Sequence, residues 1–255
     1  MTVQTHGSWF EVLGVPVSKL DLEQAAERIE EWSNDCIGRF VCIRDVASLM
    51  AIVKDEEAAA LHEDAAMITP DGMPLVAIGK LKGHRVSRVC GPDLIEVMMA
   101  RSAVRGTKHY FYGGKEGVAA KMAQRFRGRY PSAQIVGFES PPFEEMSEAE
   151  RRETLDRLRA SGADVVWVGM SSPKQDLWMW KNHKALPQTL IGVGAAFDFH
   201  SGEVARAPRW MQRSGLEWAH RLRQEPRRLW RRYLLQAPRF VLAVLRSEFA
   251  RKRKQ

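Results

Sequence analysis

The chain has little of what marks a secreted or membrane-spanning protein. None of its uncharged apolar runs approaches the ~20 residues that a membrane-spanning helix needs. Its first residues, MTVQTHGSWFEVLG, lack the basic region and the long apolar core of a signal peptide. The cysteines Cys36, Cys42 and Cys90 share no CxxC spacing, which favours a reducing compartment. We therefore expect a cytoplasmic protein.

The common motifs of metal, cofactor and covalent chemistry are also missing. The sequence contains no HExxH, CxxC, GxSxG or DxD segment, and its seven histidines are scattered. It contains neither GxGxxG nor a Walker A loop. We therefore predict no metal and no organic cofactor, although a carboxylate site assembled from distant residues stays open. A nicotinamide-dependent oxidoreductase is a distant alternative, against which the missing GxGxxG counts.

Positive charge is abundant, and it is concentrated at one end of the chain. The net charge is +8, with 45% hydrophobic and 27% charged residues. Residues 203–255 carry 15 Lys and Arg but only four Asp and Glu, a net charge of +11, whereas the other 202 residues have a net charge of −3. Such asymmetry indicates a polyanionic partner. Interleaved Trp and Leu residues favour an anionic membrane surface over a nucleic acid, for which no reading motif is present.

Short apolar runs alternate with helical patterns up to about residue 202. Runs such as RFVCI, AAMITP, HYFYG, AQIVGF, DVVWVG and TLIGVG predict strands, and segments of ten to sixteen residues between them predict helices. This alternation is typical of an α/β fold with a largely parallel sheet covered on both faces. We predict a catalytic domain at 1–202 and an Arg-rich helical appendage at 203–255, broken near Pro226 and Pro238.

Several candidate ligand residues follow the predicted strands, because parallel sheets bind ligands beyond the carboxyl ends of their strands. Asp71 stands in TPDGMPLV, directly after an apolar run. Gly113 and Gly114 form the turn of a predicted strand–turn–helix segment, and this turn could admit a diphosphate or simply be a tight βα turn. Arg88 precedes a helix and is a candidate phosphate ligand.

Two further candidates have equally plain structural readings. Gln175 follows a strand in SSPKQDLW, where the serines and Pro173 could merely cap a helix. Asp198 follows the last predicted strand, where it could hydrogen-bond a sugar hydroxyl or only order a loop.

Five motifs occur together in a fixed order: TPDGMPLV, RVCGPDL, FYGGKEGVAAKMA, VVWVGMSSPKQDLW and the long segment that begins IGVGAAFDFHSGEVARAPRW. In this combination the chain resembles the WecG/TagA/CpsF glycosyltransferases, glycosyltransferase family 26, from about residue 10 to residue 235. The resemblance implies a Rossmann-like fold and an inverting, metal-independent transfer. The implied donor is a UDP-sugar and the implied acceptor a polyprenyl-diphosphate-linked sugar at the cytoplasmic membrane face. Oligomeric state stays open, with a homo-oligomer possible.

The resemblance also implies roles for individual residues. Asp71 corresponds to the proposed general base, and the implied substrate ligands are Arg88, Gln175 and Asp198. The implied ligands of the lipid diphosphate are Arg221, Arg228 and Arg231.

One segment departs from the family pattern. Where many relatives have Thr-x-Asn, this chain has Ile43-Arg44-Asp45, with Asp45 as the candidate sugar ligand. The departure argues against assuming N-acetylmannosamine as the donor sugar. A hexose donor for an exopolysaccharide repeat unit is an equal candidate. We expect transfer from a UDP-sugar in the synthesis of an exopolysaccharide or another cell-surface polysaccharide, with N-acetylmannosaminyl(uronic acid) transfer in teichoic acid or common-antigen synthesis as the alternative.

Overall fold

A six-stranded parallel sheet forms the centre of the protein. The computed structural model describes residues 8–53, 55–142 and 146–252. The strands are β3 (Arg39–Arg44), β4 (Met67–Pro70), β5 (Lys108–Gly113), β6 (Gln134–Glu139), β7 (Val165–Gly169) and β8 (Thr189–Gly192). Their order across the sheet is β4-β3-β8-β7-β5-β6, and every neighbouring pair is parallel.

Helices cover both faces of this sheet, as the alternating sequence pattern predicts. They are α1 (Leu22–Trp32), α2 (Val46–Ile52), α3 (Glu56–Asp64), α4 (Met73–Leu81), α5 (Gly91–Arg105), α6 (Val118–Arg129), α7 (Glu148–Ala160), α8 (Lys174–Asn182) and α9 (Ala196–Ser201). One hydrophobic cluster joins the sheet to α2, α3, α4, α7 and α8, and the other joins it to α1, α5, α6 and α9. The predicted α/β, Rossmann-like class is confirmed.

The strand sequences explain why the sheet is central. All four residues of β8 are buried, and β7 buries four of its five residues, including Trp167. Strands covered on both faces need apolar side chains on both faces, so they appear as continuous apolar runs without alternation. Neighbouring strands are followed by helices on opposite faces, β8 by α9 and β7 by α8. Open sheets with such a switch bind ligands beyond the carboxyl edge at that point.

A short antiparallel hairpin precedes the sheet and was not expected from the sequence. It pairs β1 (Trp9–Val12) with β2 (Val15–Ser18). Leu13 and Gly14 both have positive φ, 54° and 87°, the combination that two-residue hairpin turns favour because it matches strand twist. The signal was available as apolar alternation on either side of a Leu-Gly pair.

The C-terminal segment is helical, as predicted. It comprises α10 (Arg209–Arg213), α11 (Glu217–Gln224), α12 (Pro226–Trp230), a π-helical turn (Arg231–Leu235) and α13 (Gln236–Lys252). The chain breaks before Pro226, but the expected break at Pro238 is wrong. The π-helical turn ends three residues before Pro238, and such widened turns accommodate the ring that would strike an α-helical carbonyl.

The long C-terminal helix is anchored to the body by one aromatic side chain. Phe240 of α13 is 2% exposed and belongs to the cluster that contains Leu49 of α2. Full burial of such a side chain contributes about 1.5–3 kcal/mol. The opposite side of α13 stays open, with Val241, Leu242 and Leu245 about half exposed. The domain division at residues 202 and 203 stays a prediction.

The turn after β5 packs too tightly for a side chain. Gly113 has φ of 144°, and a Cβ there would lie 2.6 Å from the backbone of Gly169 at the end of β7. The Gly114 N–H donates to the Gly169 carbonyl at 2.9 Å. The predicted glycine turn is therefore required by packing between β5 and β7, whatever it binds.

We expect Gly113→Ala to lower the free energy of unfolding by about 1–3 kcal/mol, because the added methyl group meets backbone atoms in a strained conformation. Gly128→Ala, in α6 with no neighbour within 4 Å of its Cβ position, is the matched control and should raise stability by about 0.5–1 kcal/mol. Urea unfolding followed by circular dichroism measures both. Equal stability of the two variants would contradict the packing account.

Candidate active site

Asp71 lies directly after β4 at the carboxyl edge of the sheet. Its backbone N–H donates to the carbonyl oxygen of Arg44, the last residue of β3, at 2.8 Å. Gly72 follows as the N-cap of α4, and a Cβ there would come within 3.3 Å of the Val46 backbone nitrogen. The Pro-Asp-Gly segment is thus held against the end of the neighbouring strand, with its carboxylate at the edge where parallel sheets bind ligands.

Asp45 occupies the equivalent position after β3. It is the N-cap of α2, and its carboxylate accepts hydrogen bonds from the Ser48 backbone N–H at 2.9 Å and the Ser48 hydroxyl at 2.8 Å. Its negative charge contributes to raising the pKa of Asp71. The predicted pair of strand-end residues is therefore together, although Asp45 already has a structural function as a helix cap.

Arg88 holds the carboxylate of Asp71. Its Nε donates to Asp71 Oδ1 at 3.0 Å and to the Asp71 carbonyl at 2.8 Å, and its Nη2 donates to Oδ1 at 2.8 Å. Burial is the largest influence on the pKa of Asp71 and raises it above the usual value, against the opposing charge of Arg88. The side chain nevertheless keeps 32% of its surface accessible.

The appendage extends this pair into a longer chain of charges. Arg88 Nη1 forms an ion pair with Glu217 of α11 at 2.9 Å, and Glu217 accepts from Arg206 Nε at 3.1 Å. Arg206 in turn donates to Asp93 of α5 at 2.6 Å. Sequence reasoning missed Glu217 and Arg206. The available signal was an acidic residue within a strongly basic segment.

The other predicted ligands lie near the ends of β7 and β8. Gln175 of α8 is buried, and its Oε1 accepts from the Gly194 N–H at 3.1 Å, which holds the turn after β8. The backbone carbonyl of Asp198, in the first turn of α9, accepts from the Val204 N–H at 3.1 Å. Both residues thus have structural contacts, and Asp198 is partly exposed.

A buried polar cluster lies under the end of β3. Arg44 is 1% exposed; its Nε donates to His62 Nε2 at 2.8 Å and its Nη1 to Asp176 Oδ2 at 3.0 Å. Burial and the Arg44 charge lower the pKa of His62 to about 4, so its imidazole is neutral and its Nδ1–H donates to the Ala58 carbonyl. Since the Arg44 carbonyl holds the Asp71 N–H, the cluster anchors the candidate site from below.

Sequence reasoning missed this cluster, although a charged residue ending an apolar strand was a signal. A cavity of about 310 Å³ adjoins the cluster, between α2, α3 and α8.

Comparison with known proteins identifies the family to which this arrangement belongs. Residues 10–254 match the glycosyl transferase WecG/TagA/CpsF family. The chain belongs to this family. It is 34% identical to the N-acetylglucosaminyldiphosphoundecaprenol N-acetyl-beta-D-mannosaminyltransferase of Bacillus spizizenii (strain ATCC 23059 / NRRL B-14472 / W23) over 193 residues. The aligned region covers 75% of this chain and 72% of the relative. The sequence-based resemblance is confirmed, and the protein is a glycosyltransferase.

Two of the three appendage arginines predicted as ligands in this glycosyltransferase have described side chains. Arg221 of α11 lies one helical turn after Glu217, with its guanidinium 5.6 Å from the ring centre of Phe199 in α9. Arg231 is exposed and lies 5.4 Å from the ring centre of Trp230. The Arg228 side chain lies outside the described residues. The site roles of these arginines, like those of the strand-end residues, stay predictions.

Two absences concern the described part of this glycosyltransferase. Within residues 8–53, 55–142 and 146–252, no helix combines the length and the apolar character needed to cross a bilayer. Over the same ranges, no three His, Cys, Asp or Glu side chains are grouped as metal ligands.

Proposed function

We propose that the protein transfers N-acetylmannosamine from its UDP-linked form to a polyprenyl-diphosphate-linked N-acetylglucosamine, with inversion, in the assembly of a bacterial cell-surface polysaccharide. The observation that carries the proposal is the Asp71 carboxylate, held by Arg88 at the carboxyl edge of the sheet. The identity to the Bacillus spizizenii mannosaminyltransferase favours this donor over the hexose that Ile43-Arg44-Asp45 left as an equal candidate.

Asp71 is the proposed general base. It takes the proton from the acceptor hydroxyl as that oxygen bonds to the anomeric carbon, while the bond from this carbon to the nucleotide diphosphate breaks on the opposite side. Base catalysis of this kind contributes about 10²–10⁴-fold and is most efficient when the base's pKa approaches the working pH. The raised pKa of Asp71 supports this assignment.

The departing diphosphate needs positive charge, which arginines supply through paired hydrogen bonds. Arg221, one turn beyond Glu217, is the best-supported candidate among the described side chains, because its guanidinium lies over Phe199 of α9, the helix that follows β8. Arg228 and Arg231 are proposed to bind the lipid diphosphate. Asp45, Gln175 and Asp198 are proposed to contact or support the donor sugar, and the Gly113–Gly114 turn its diphosphate.

An anionic membrane surface is the proposed location of this reaction. Val241, Leu242 and Leu245 form an open apolar side of α13, and residues 203–255 carry a net charge of +11. Apolar side chains beside basic ones favour the interface of an anionic bilayer, where each Lys or Arg near the surface contributes about 1 kcal/mol. The appendage would thereby hold the protein close to its lipid-linked acceptor.

A panel of nucleotide sugars tests the proposed reaction. With synthetic polyprenyl-diphosphate N-acetylglucosamine as acceptor, we expect UDP-N-acetylmannosamine to release free UDP and UDP-glucose to release much less. We expect the activity to survive excess EDTA, because arginines replace a metal at the diphosphate. Preferential turnover of UDP-glucose would exclude the proposed donor, and loss of activity in EDTA that a divalent cation restores would exclude metal independence.

Replacement of Asp71 by Asn tests the base. We expect kcat to fall by about 10²–10⁴-fold in steady-state assays, because the amide cannot accept the proton. In the unaltered protein the acid limb of the pH–kcat/KM profile should lie above the ordinary Asp value of 3.8, since the pKa of Asp71 is raised. Asp164→Asn, at the opposite edge of the sheet, should leave kcat near normal. Near-normal kcat in Asp71→Asn would rule out the base.

Flotation with vesicles of phosphatidylglycerol tests the membrane surface. The double substitution Leu242→Gln and Leu245→Gln should strongly reduce the bound fraction, because it removes the open apolar side of α13. Ile37→Gln with Val104→Gln is the matched control, since these side chains are 53% and 88% exposed on the body. If both double variants float equally well, α13 is not the membrane-binding element.

A further inference from the structure

Among the described carboxylates of the appendage, Glu217 alone forms an ion pair with Arg88, the residue that holds the proposed base Asp71. It belongs to α11, is 8% exposed, and has Arg88 on one side at 2.9 Å and Arg206 on the other at 3.1 Å. The first contact crosses from the appendage to the loop before α5 in the body. An acidic residue so deep in a segment of net charge +11 cannot serve phosphate binding directly, because it repels phosphate.

The contact places a second carboxylate against the Arg88 guanidinium. Nε and Nη2 donate to Asp71, and Nη1 pairs with Glu217, so the guanidinium is held between two carboxylates. A planar guanidinium with partners at both ends has one orientation. Without Glu217, only Asp71 would hold the Arg88 guanidinium. The appendage would then no longer restrict the orientation of the Asp71 carboxylate.

The charged groups that act on Asp71 come from three elements. They are Arg88 from the loop before α5, Asp45 from the start of α2 and Glu217 from α11. Cys90, in the same loop as Arg88, also lies within their field, and its buried thiol has a raised pKa, which keeps it neutral. Asp45 and Glu217 both act to raise the proton affinity of Asp71, and only Glu217 comes from the appendage.

We propose that Glu217 is a positioning residue for the transfer, which orients Arg88 and through it the Asp71 carboxylate, so that the base is fully set only when α11 is docked. The inference rests on the proposed function of Asp71. Docking of the appendage then does more than complete a binding surface. Docking of α11 also affects the orientation and the proton affinity of the Asp71 carboxylate.

The matched pair Glu217→Gln and Glu248→Gln tests this coupling in the full-length protein. Both replacements remove one appendage carboxylate that is ion-paired to the body, but Glu248 of α13 pairs with Lys82 at 3.3 Å, outside the chain of charges that reaches Asp71. Steady-state kinetics with UDP-N-acetylmannosamine and the lipid-diphosphate acceptor, at a series of pH values, give kcat, both KM values and the acid limb. Hydrogen–deuterium exchange reports docking of α11.

For Glu217→Gln we expect kcat to fall about tenfold, because the Arg88 guanidinium loses the ion-pair partner that holds its orientation, with a smaller change in donor KM. The acid limb should move to lower pH, because one negative charge beside Asp71 is lost. Glu217→Asp, which keeps the charge, should retain the acid limb and recover part of kcat. Glu248→Gln should keep kcat within about twofold and leave the acid limb in place.

Three results would overturn the inference. The first is an acid limb that Glu217→Gln leaves in place or moves to higher pH. The second is a rise in KM without a fall in kcat, together with faster hydrogen–deuterium exchange in α11. This result is expected if Glu217 only holds α11 against the body. The third is equal effects of Glu217→Gln and Glu248→Gln. The Asp71→Asn variant keeps this test separate from the proposed function. If Asp71→Asn is inactive and Glu217→Gln is normal, only the positioning role of Glu217 is excluded. If Asp71→Asn is active, the general-base role of Asp71 is excluded.

Discussion

The guanidinium of Arg88 lies between the carboxylates of Asp71 and Glu217, and the site is built around that contact. A half-buried charge left without a partner is strongly destabilising, by about 3–5 kcal/mol in buried pairs. The strand-end loop, the start of α5 and α11 are therefore held together by one set of alternating charges. The same set connects the appendage to the residue proposed to take the substrate's proton.

The parallel sheet supplies the position for this set of charges. Strands β3 and β4 end side by side, and the Arg44 carbonyl receives the Asp71 N–H. Below that contact the Arg44 side chain is buried against His62 and Asp176. A buried ion pair is weak evidence for added stability, but its directional hydrogen bonds restrict the end of β3. The candidate base therefore rests on a constrained backbone, which is what preorganised catalysis requires.

The strands of the sheet and several residues of the candidate site could be predicted from the sequence. Apolar runs such as VVWVG predicted the strands because strands covered on both faces need apolar side chains throughout. Asp71, Arg88, Gln175 and Asp198 were predicted from their positions and the family resemblance, and their roles are still predictions. The hairpin before α1 was missed, and Pro238 was assigned to a break because the sequence pattern does not reveal the π-helical turn that accommodates its ring.

The sequence by itself determined the α/β class, the basic appendage and the family, because periodicity, composition and ordered motifs are local properties of the chain. Only the tertiary structure decided which charges meet. Arg206 and Asp93 are 113 residues apart in sequence yet 2.6 Å apart in space, and Gln175 supports the Gly194 turn from another helix. A sequence shows which residues are charged, but the ion-pair partner of each depends on how the helices pack on the sheet. That packing depends on the apolar side chains in the two cores.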